Sequence, residues 1–216
     1  RLLDAGADVN ANRSGATPLT EAARLLNVSG ARLLLARGAR TDPEIENGWL
    51  PLHHAIDANN VSEGKRESER LALVQMLVER GAALEARTRS MGSWQPTPLL
   101  LAIDKRLPAV ARHLLEHGAN VEARTLDPAH RERTALMWAA EKGLPDVVEA
   151  LLARGAAVDA RNGAGETALI VAAGGTVDFG RKQPAVVRLL LAAGADVNAV
   201  TKRGASALMR AATGNS

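Results

Sequence analysis

Two phrases recur along the 216 residues, and a chain that repeats at a short fixed period is confined to stacks of one small unit. The first phrase is an apolar run, then Gly-Ala, then a short alternating stretch. It reads LLDAGADVNA at 2–11, LLLARGARTD at 33–42, MLVERGAALEA at 76–86, HLLEHGANVEA at 113–123, ALLARGAAVDA at 150–160 and LLLAAGADVNA at 189–199. The second reads TPLTEAA at 17–23, LPLHHAI at 50–56, TPLLLAI at 97–103, TALMWAA at 134–140, TALIVAA at 167–173 and SALMRAA at 206–212. Thr17 to Gly38, Thr97 to Gly118 and Thr134 to Gly155 each span 21 residues, against 31 for Leu50 to Gly81 and 27 for Thr167 to Gly194. From each Gly-Ala to the next phrase the steps are 11, 12, 16, 16, 12 and 12. The basic period is therefore 33, and insertions enter at only two kinds of place.

One unit reads as two helices and a turn-back. Thr17 and Thr97 can N-cap a first helix with Pro18 and Pro98 at its first position, where a missing N–H costs nothing. Leu50 offers no such cap. A second helix ends at Gly38, Gly81, Gly118, Gly155 or Gly194, each suited to a left-handed C-terminal position. The alternating stretch after it turns back like a short hairpin. Ala (42) and Leu (30) dominate the apolar residues, with three Trp, one Phe and no Tyr, which suits close-packed helices and argues against an all-β fold. A unit of this size orders more chain than its few aliphatic side chains can offset, so stacked neighbours have to supply the rest.

These residues resemble the ankyrin repeats. The likeness rests on the period of 33, on T-P-L-x-x-A-A and L-L-L-x-x-G-A-D-V-N-A, and on the hairpin between them; it runs through essentially the whole chain. It implies an all-α solenoid of helix-turn-helix repeats joined by short β-hairpin fingers. One domain is expected over 1–216: a partial repeat at 1–16, repeats starting near 17, 50, 97, 134 and 167, and a partial terminal repeat at 206–216. The family's T-P-L-H histidine stands only at His53; Thr20, Leu100, Met137, Ile170 and Met209 replace it, which trades inter-turn hydrogen bonds for apolar packing. Leu2 and Leu3 give the first half-repeat an apolar face, so further repeats or a cap are expected upstream.

Several patterns imitate active sites. His113-Leu-Leu-Glu116-His117 spells a zinc-protease signature, yet it aligns with LLLARG and LLLAAG at the end of a second helix. Gly163-Ala-Gly165-Glu-Thr-Ala168 matches a dinucleotide fingerprint but follows the polar VDARN rather than a buried strand. His53 and His54 lack a third ligand. With no Cys, no Ser-His-Asp set and no phosphate loop, neither an enzyme nor a metal site nor a cofactor is expected. The net charge of +3 is small and stacking aromatics are few, so nucleic acid is not the expected partner. No apolar run is long enough to span a membrane. The Ala-rich, Arg-over-Lys composition points to a GC-rich, bacterial genome, and cytoplasm, periplasm or secretion all fit.

The resemblance implies protein–protein recognition by a monomer, with first helices lining a concave side and finger tips projecting beside them; the alternative is a structural spacer within a larger protein. Position 5 of the second phrase lies about 200° around the helix from its buried Leu. It reads Glu21, His54, Leu101, Trp138, Val171 and Arg210, apolar in the middle with polar ends, as in a binding patch with a polar rim. Neighbouring first helices burying one another would give the same stripe. Trp94 and Trp49 stand in finger tips, with Arg87, Arg89, Arg124, Arg131, Arg133, Arg161 and Arg203 along that edge, which suits an acidic partner. The insertions 57–70 and 174–183 fit drift as well as function, and Phe179 in the second is expected to cover the repeat edge. If Trp138 is a contact residue, Trp138→Ala lowers partner affinity by ~2 kcal/mol or more. A fall in thermal stability with unchanged affinity, read by calorimetry and titration together, would make it a packing residue.

Overall fold

The computed structural model describes residues 2–13, 15–43, 48–58, 66–89, 94–126, 132–174 and 183–213. Eleven helices fall within them. First helices are α1 (Pro18–Arg24), α3 (Pro51–Asp57), α5 (Pro98–Asp104), α7 (Ala135–Lys142), α9 (Ala168–Ala173) and α11 (Ala207–Thr213). Second helices are α2 (Val28–Ala36), α4 (Arg66–Glu79), α6 (Pro108–Glu116), α8 (Pro145–Ala153) and α10 (Pro184–Ala192). The fold is the helical repeat fold expected from the two phrases. Its contacts divide into two compact units, Arg1–Leu101 and Ala102–Ser216, with the border inside α5.

The helix starts follow the capping logic. The Thr17, Thr97, Thr134, Thr167 and Ser206 hydroxyls accept from the N–H groups of Thr20, Leu100, Met137, Ile170 and Met209 at 3.2–3.4 Å. Thr20 returns the bond, its hydroxyl accepting from the Thr17 N–H at 2.8 Å, so it takes up a polar role where the family's histidine would stand. Leu50 makes no side-chain cap. The helices α6, α8 and α10 also lack one, but each begins with Pro, which has no N–H to satisfy.

Burial follows the period. Leu19, Leu52, Leu99, Leu136 and Leu169, the third residue of successive second phrases, are at most 3% exposed. In the first unit α1 packs on α2 and α3, and α2 and α3 on α4. In the second, α7 packs on α8 and α9, α9 on α10 and α11, and α8 on α6 and α10. Leu208, the equivalent residue of α11, remains 79% exposed.

The fingers are thinner than the expected hairpins. Among the described residues their ladders shrink to single antiparallel bridges, Arg13 with Ala16, Arg124 with Thr134 and Val200 with Ser206. Side chains supply what a longer ladder would. Asn10, Asp42, Glu122 and Asp159 accept from the backbone N–H of Arg40, Ala83, Ala157 and Asp196 in the next repeat, at 2.7–3.2 Å. Each donor lies just past a Gly-Ala, where a helix has ended and its N–H would otherwise face only water.

The closing glycines have φ between +79° and +95° at Gly38, Gly81, Gly118, Gly155 and Gly194, and a Cβ on any of them would meet nothing within 4 Å. Their requirement is therefore conformational and not steric. Gly155→Ala is expected to destabilise by about 1 kcal/mol and Gly155→Asn by less, since Asn tolerates the left-handed region. Urea unfolding midpoints of the three proteins check the order.

Candidate functional site

In three places position 5 of a first helix meets the residue that ends a finger, one place before the second phrase. In the first unit Trp49 ends its finger with its ring 5.5 Å from that of His54 and 6.1 Å from that of His53. In the second unit Arg133 ends its finger with its guanidinium 5.7 Å from the Trp138 ring centroid. Lys142 approaches the same ring to 5.1 Å. Arg133 also pairs with Glu141, and Lys142 with Asp104 at 2.9 Å. Glu166, the next finger-end residue, pairs with Arg210 at position 5 of α11, at 2.7 Å. The sequence points to the position-5 row and to Trp49 and Arg133 in the fingers, but not to Glu166 or to the pairing, which needs the finger to fold back over its own or the next helix.

Burial separates the stripe into floor and rim. Leu101, Trp138 and Val171 are 2%, 5% and 7% exposed. A partner can cover little more of them, and Trp138→Ala is expected to cost stability on the scale of a buried aromatic, about 3–5 kcal/mol. His54, Trp49 and Trp94 are half-buried, and Arg89 is exposed. The fingers that carry Trp49, Arg89 and Trp94 lie side by side. Gly48, at φ +66°, is close enough to the neighbouring finger that a Cβ would meet the Arg87 carbonyl at 2.8 Å and the Arg89 nitrogen at 3.1 Å. Arg87 in turn donates to the Gln95 carbonyl at 2.8 Å.

The arginine edge is partly structural. Arg124 donates to the Glu132 and Arg161 carbonyls, and Arg161 donates to those of Gly165 and Val200, at 2.7–3.3 Å. With Arg87 they occupy equivalent places in three fingers and tie backbone to backbone. Arg89 and Arg203 remain exposed, while Arg131, Phe179 and most of the two insertions lie outside the described residues.

The imitations of chemistry resolve into local structure. His113 and His117 stack at the end of α6 with ring centroids 4.1 Å apart, and His117 Nδ1 lies 2.9 Å from the His113 carbonyl. Among the described residues no three metal-ligating side chains gather. Gly163 and Ala164 form a turn before α9, with no strand ahead of them. Among those residues no helix is long and apolar enough to cross a membrane.

His53 is fully buried, and its Nε2 lies 3.1 Å from the Ala86 carbonyl. That oxygen can only accept, so Nε2 carries the proton. Burial pushes the imidazole down from its usual 6.5 to about 4, and burial lowers His54 as well. The unfolded chain therefore takes up a proton on His53 at a pH where the folded protein stays neutral. The stability that His53 confers is complete above about pH 6.5 and falls by about 1.4 kcal/mol per unit as the pH drops toward 4. Urea titrations across this window should show the slope in the parent and a shallower one in His53→Gln.

The comparisons agree with this geometry. The family model described as ankyrin repeats (3 copies) matches residues 65–162 and 136–216. No curated protein matches the chain. Among solved structures, one similar chain comes from the Bd0816 predatory endopeptidase of Bdellovibrio bacteriovorus in complex with immunity protein Bd3460. It is 26% identical with a TM-score of 0.73, and 93% of each chain is covered. The human ASB11 ankyrin repeat domain is 25% identical with a TM-score of 0.72, covering 97% of this chain and 84% of that one. The ankyrin repeat domain of Bcl-3, a member of the IkappaB protein family, is 26% identical with a TM-score of 0.73 and the same coverage. The repeated phrases, the capped helix pairs and the family match together place this chain in the ankyrin-repeat family.

Proposed function

We propose that the chain is a non-catalytic protein-interaction module that holds a protein partner against its first-helix stripe and finger tips. The observation that carries this reading is the pairing of Trp49 with His54, on a finger beside the one that carries Arg89 and Trp94. Aromatic and cationic side chains, half-buried or exposed, stand there on fingers whose backbones approach closely at Gly48. Large rigid side chains with wet polar ends are the types that dominate binding energy at interfaces. Leu101, Trp138 and Val171 are nearly covered within their own units and serve as packed supports of the first helices, and Arg131 is added to the contact residues on sequence grounds. The similar chain from an endopeptidase–immunity protein complex supports a role in which one protein is held by another.

The exposed cations favour an acidic partner. Capture from an extract of the source cells should enrich one protein on the parent chain. A Trp49→Ala, Arg89→Ala, Trp94→Ala variant of matched helicity should lose at least about 2 kcal/mol of that affinity. Raising the salt from about 0.1 to 1 M, which shortens the screening length from about 10 to 3 Å, should weaken capture steeply. Equal capture by parent and variant, or a flat salt response, would remove the proposed surface.

A further inference from the structure

We propose that a cleft in the second unit binds a side-chain carboxylate of an extended acidic peptide segment, a reading that rests on the interaction role above and names the partner's chemistry. The cleft has a volume of about 560 Å³ and is lined by the finger at 162–166, the finger at 200–205, Arg210 of α11 and Glu132. That volume falls in the range of sites that hold a few residues of a ligand.

Three features make it a site rather than a gap. The first is its floor. Glu166 is 3% exposed, and its two oxygens accept from Asn162 Nδ2 at 2.8 Å and Arg210 Nη2 at 2.7 Å. A buried carboxylate satisfied in this way acts as an anchor: it fixes one edge of the Arg210 guanidinium while the side chain stays 39% exposed.

The second is rigidity. Lys202 N–H donates to the Ala164 carbonyl at 3.0 Å, and Arg161 clamps the Gly165 and Val200 carbonyls. The two fingers are thus set before a ligand arrives, which lowers the ordering cost of binding.

The third is charge. Lys202 and Arg203 are exposed on the finger turn, and no carboxylate pairs with either among the described residues. Glu166 and Arg210 offset one another, so among the described lining residues Lys202 and Arg203 stand as cations against the acid Glu132. A carboxylate spaced by neutral residues suits that field. A dense polyanion such as nucleic acid would be driven against Glu132.

Fluorescence polarisation with a labelled peptide of alternating Glu and Ser tests this on the full chain. The parent should bind it, and Lys202→Gln, Arg203→Gln at the exposed turn should weaken binding about tenfold, the order of one lost charge-assisted hydrogen bond. Arg210→Lys, which keeps a charge beside Glu166 but removes the planar fork, should also weaken it. Absence of binding to the parent, undiminished binding to the Gln variant, or equal binding of a single-stranded oligonucleotide would overturn the proposal. The interaction role is judged separately. Partner capture without peptide binding sinks only the cleft, whereas peptide binding at the cleft without capture sinks only the module.

Discussion

Each repeat leaves an aliphatic face that nothing within the repeat can cover, and the rest of the structure follows from that debt. Leu19, Leu52, Leu136 and Leu169 sit on six- to eight-residue helices too short to persist alone in water. They become buried because α1 meets α3 and α7 meets α9. Stability is therefore a property of neighbours and not of single repeats, as nearest-neighbour descriptions of such proteins require. Ala at flanking positions lets the helices approach closely, and the shortage of aromatics noted in the composition is part of the same solution.

The few large side chains are then free for other tasks, but only some remain accessible. Trp138 lies under Arg133 and Lys142, so its aromatic area is spent on the fold. Trp49 stands half-exposed against His54 and so keeps both an internal contact and a surface. The same division holds for charge. Arg87, Arg124 and Arg161 are committed to backbone carbonyls, while Arg89 and Arg203 face solvent. A basic edge read from composition alone overstates the charge a partner would meet.

Much of the fold was legible in the sequence because its determinants are local. The Thr caps, the Pro that follows Thr17 and Thr97 and the left-handed glycines act within a turn or two of themselves, and all took the places that spacing implied. Leu50 lacked a cap in both views. The candidate site was less legible, because part of it rests on pairs from different repeats. Nothing local in Glu166 says that its partner is Arg210, 44 residues away, or that Glu122 will reach the Ala157 amide. The polar residues of GADVNA and GANVEA were visible as a motif, but their service as bonds between fingers was not. The border inside α5 was likewise hidden, since the phrase TPLLLAI looks like its neighbours.

The bonds between fingers share one property. Asn10, Asp42, Glu122 and Asp159 all address backbone amides, and Arg124 and Arg161 address backbone carbonyls. Every residue except proline offers the same amide, whatever its side chain. A finger can thus be joined to its successor without any matched change in that successor's sequence. Repeats linked in this way are interchangeable parts: one can be duplicated, lost or replaced by a divergent copy while the joint stays intact. Surface side chains are then left to vary with whatever the protein meets.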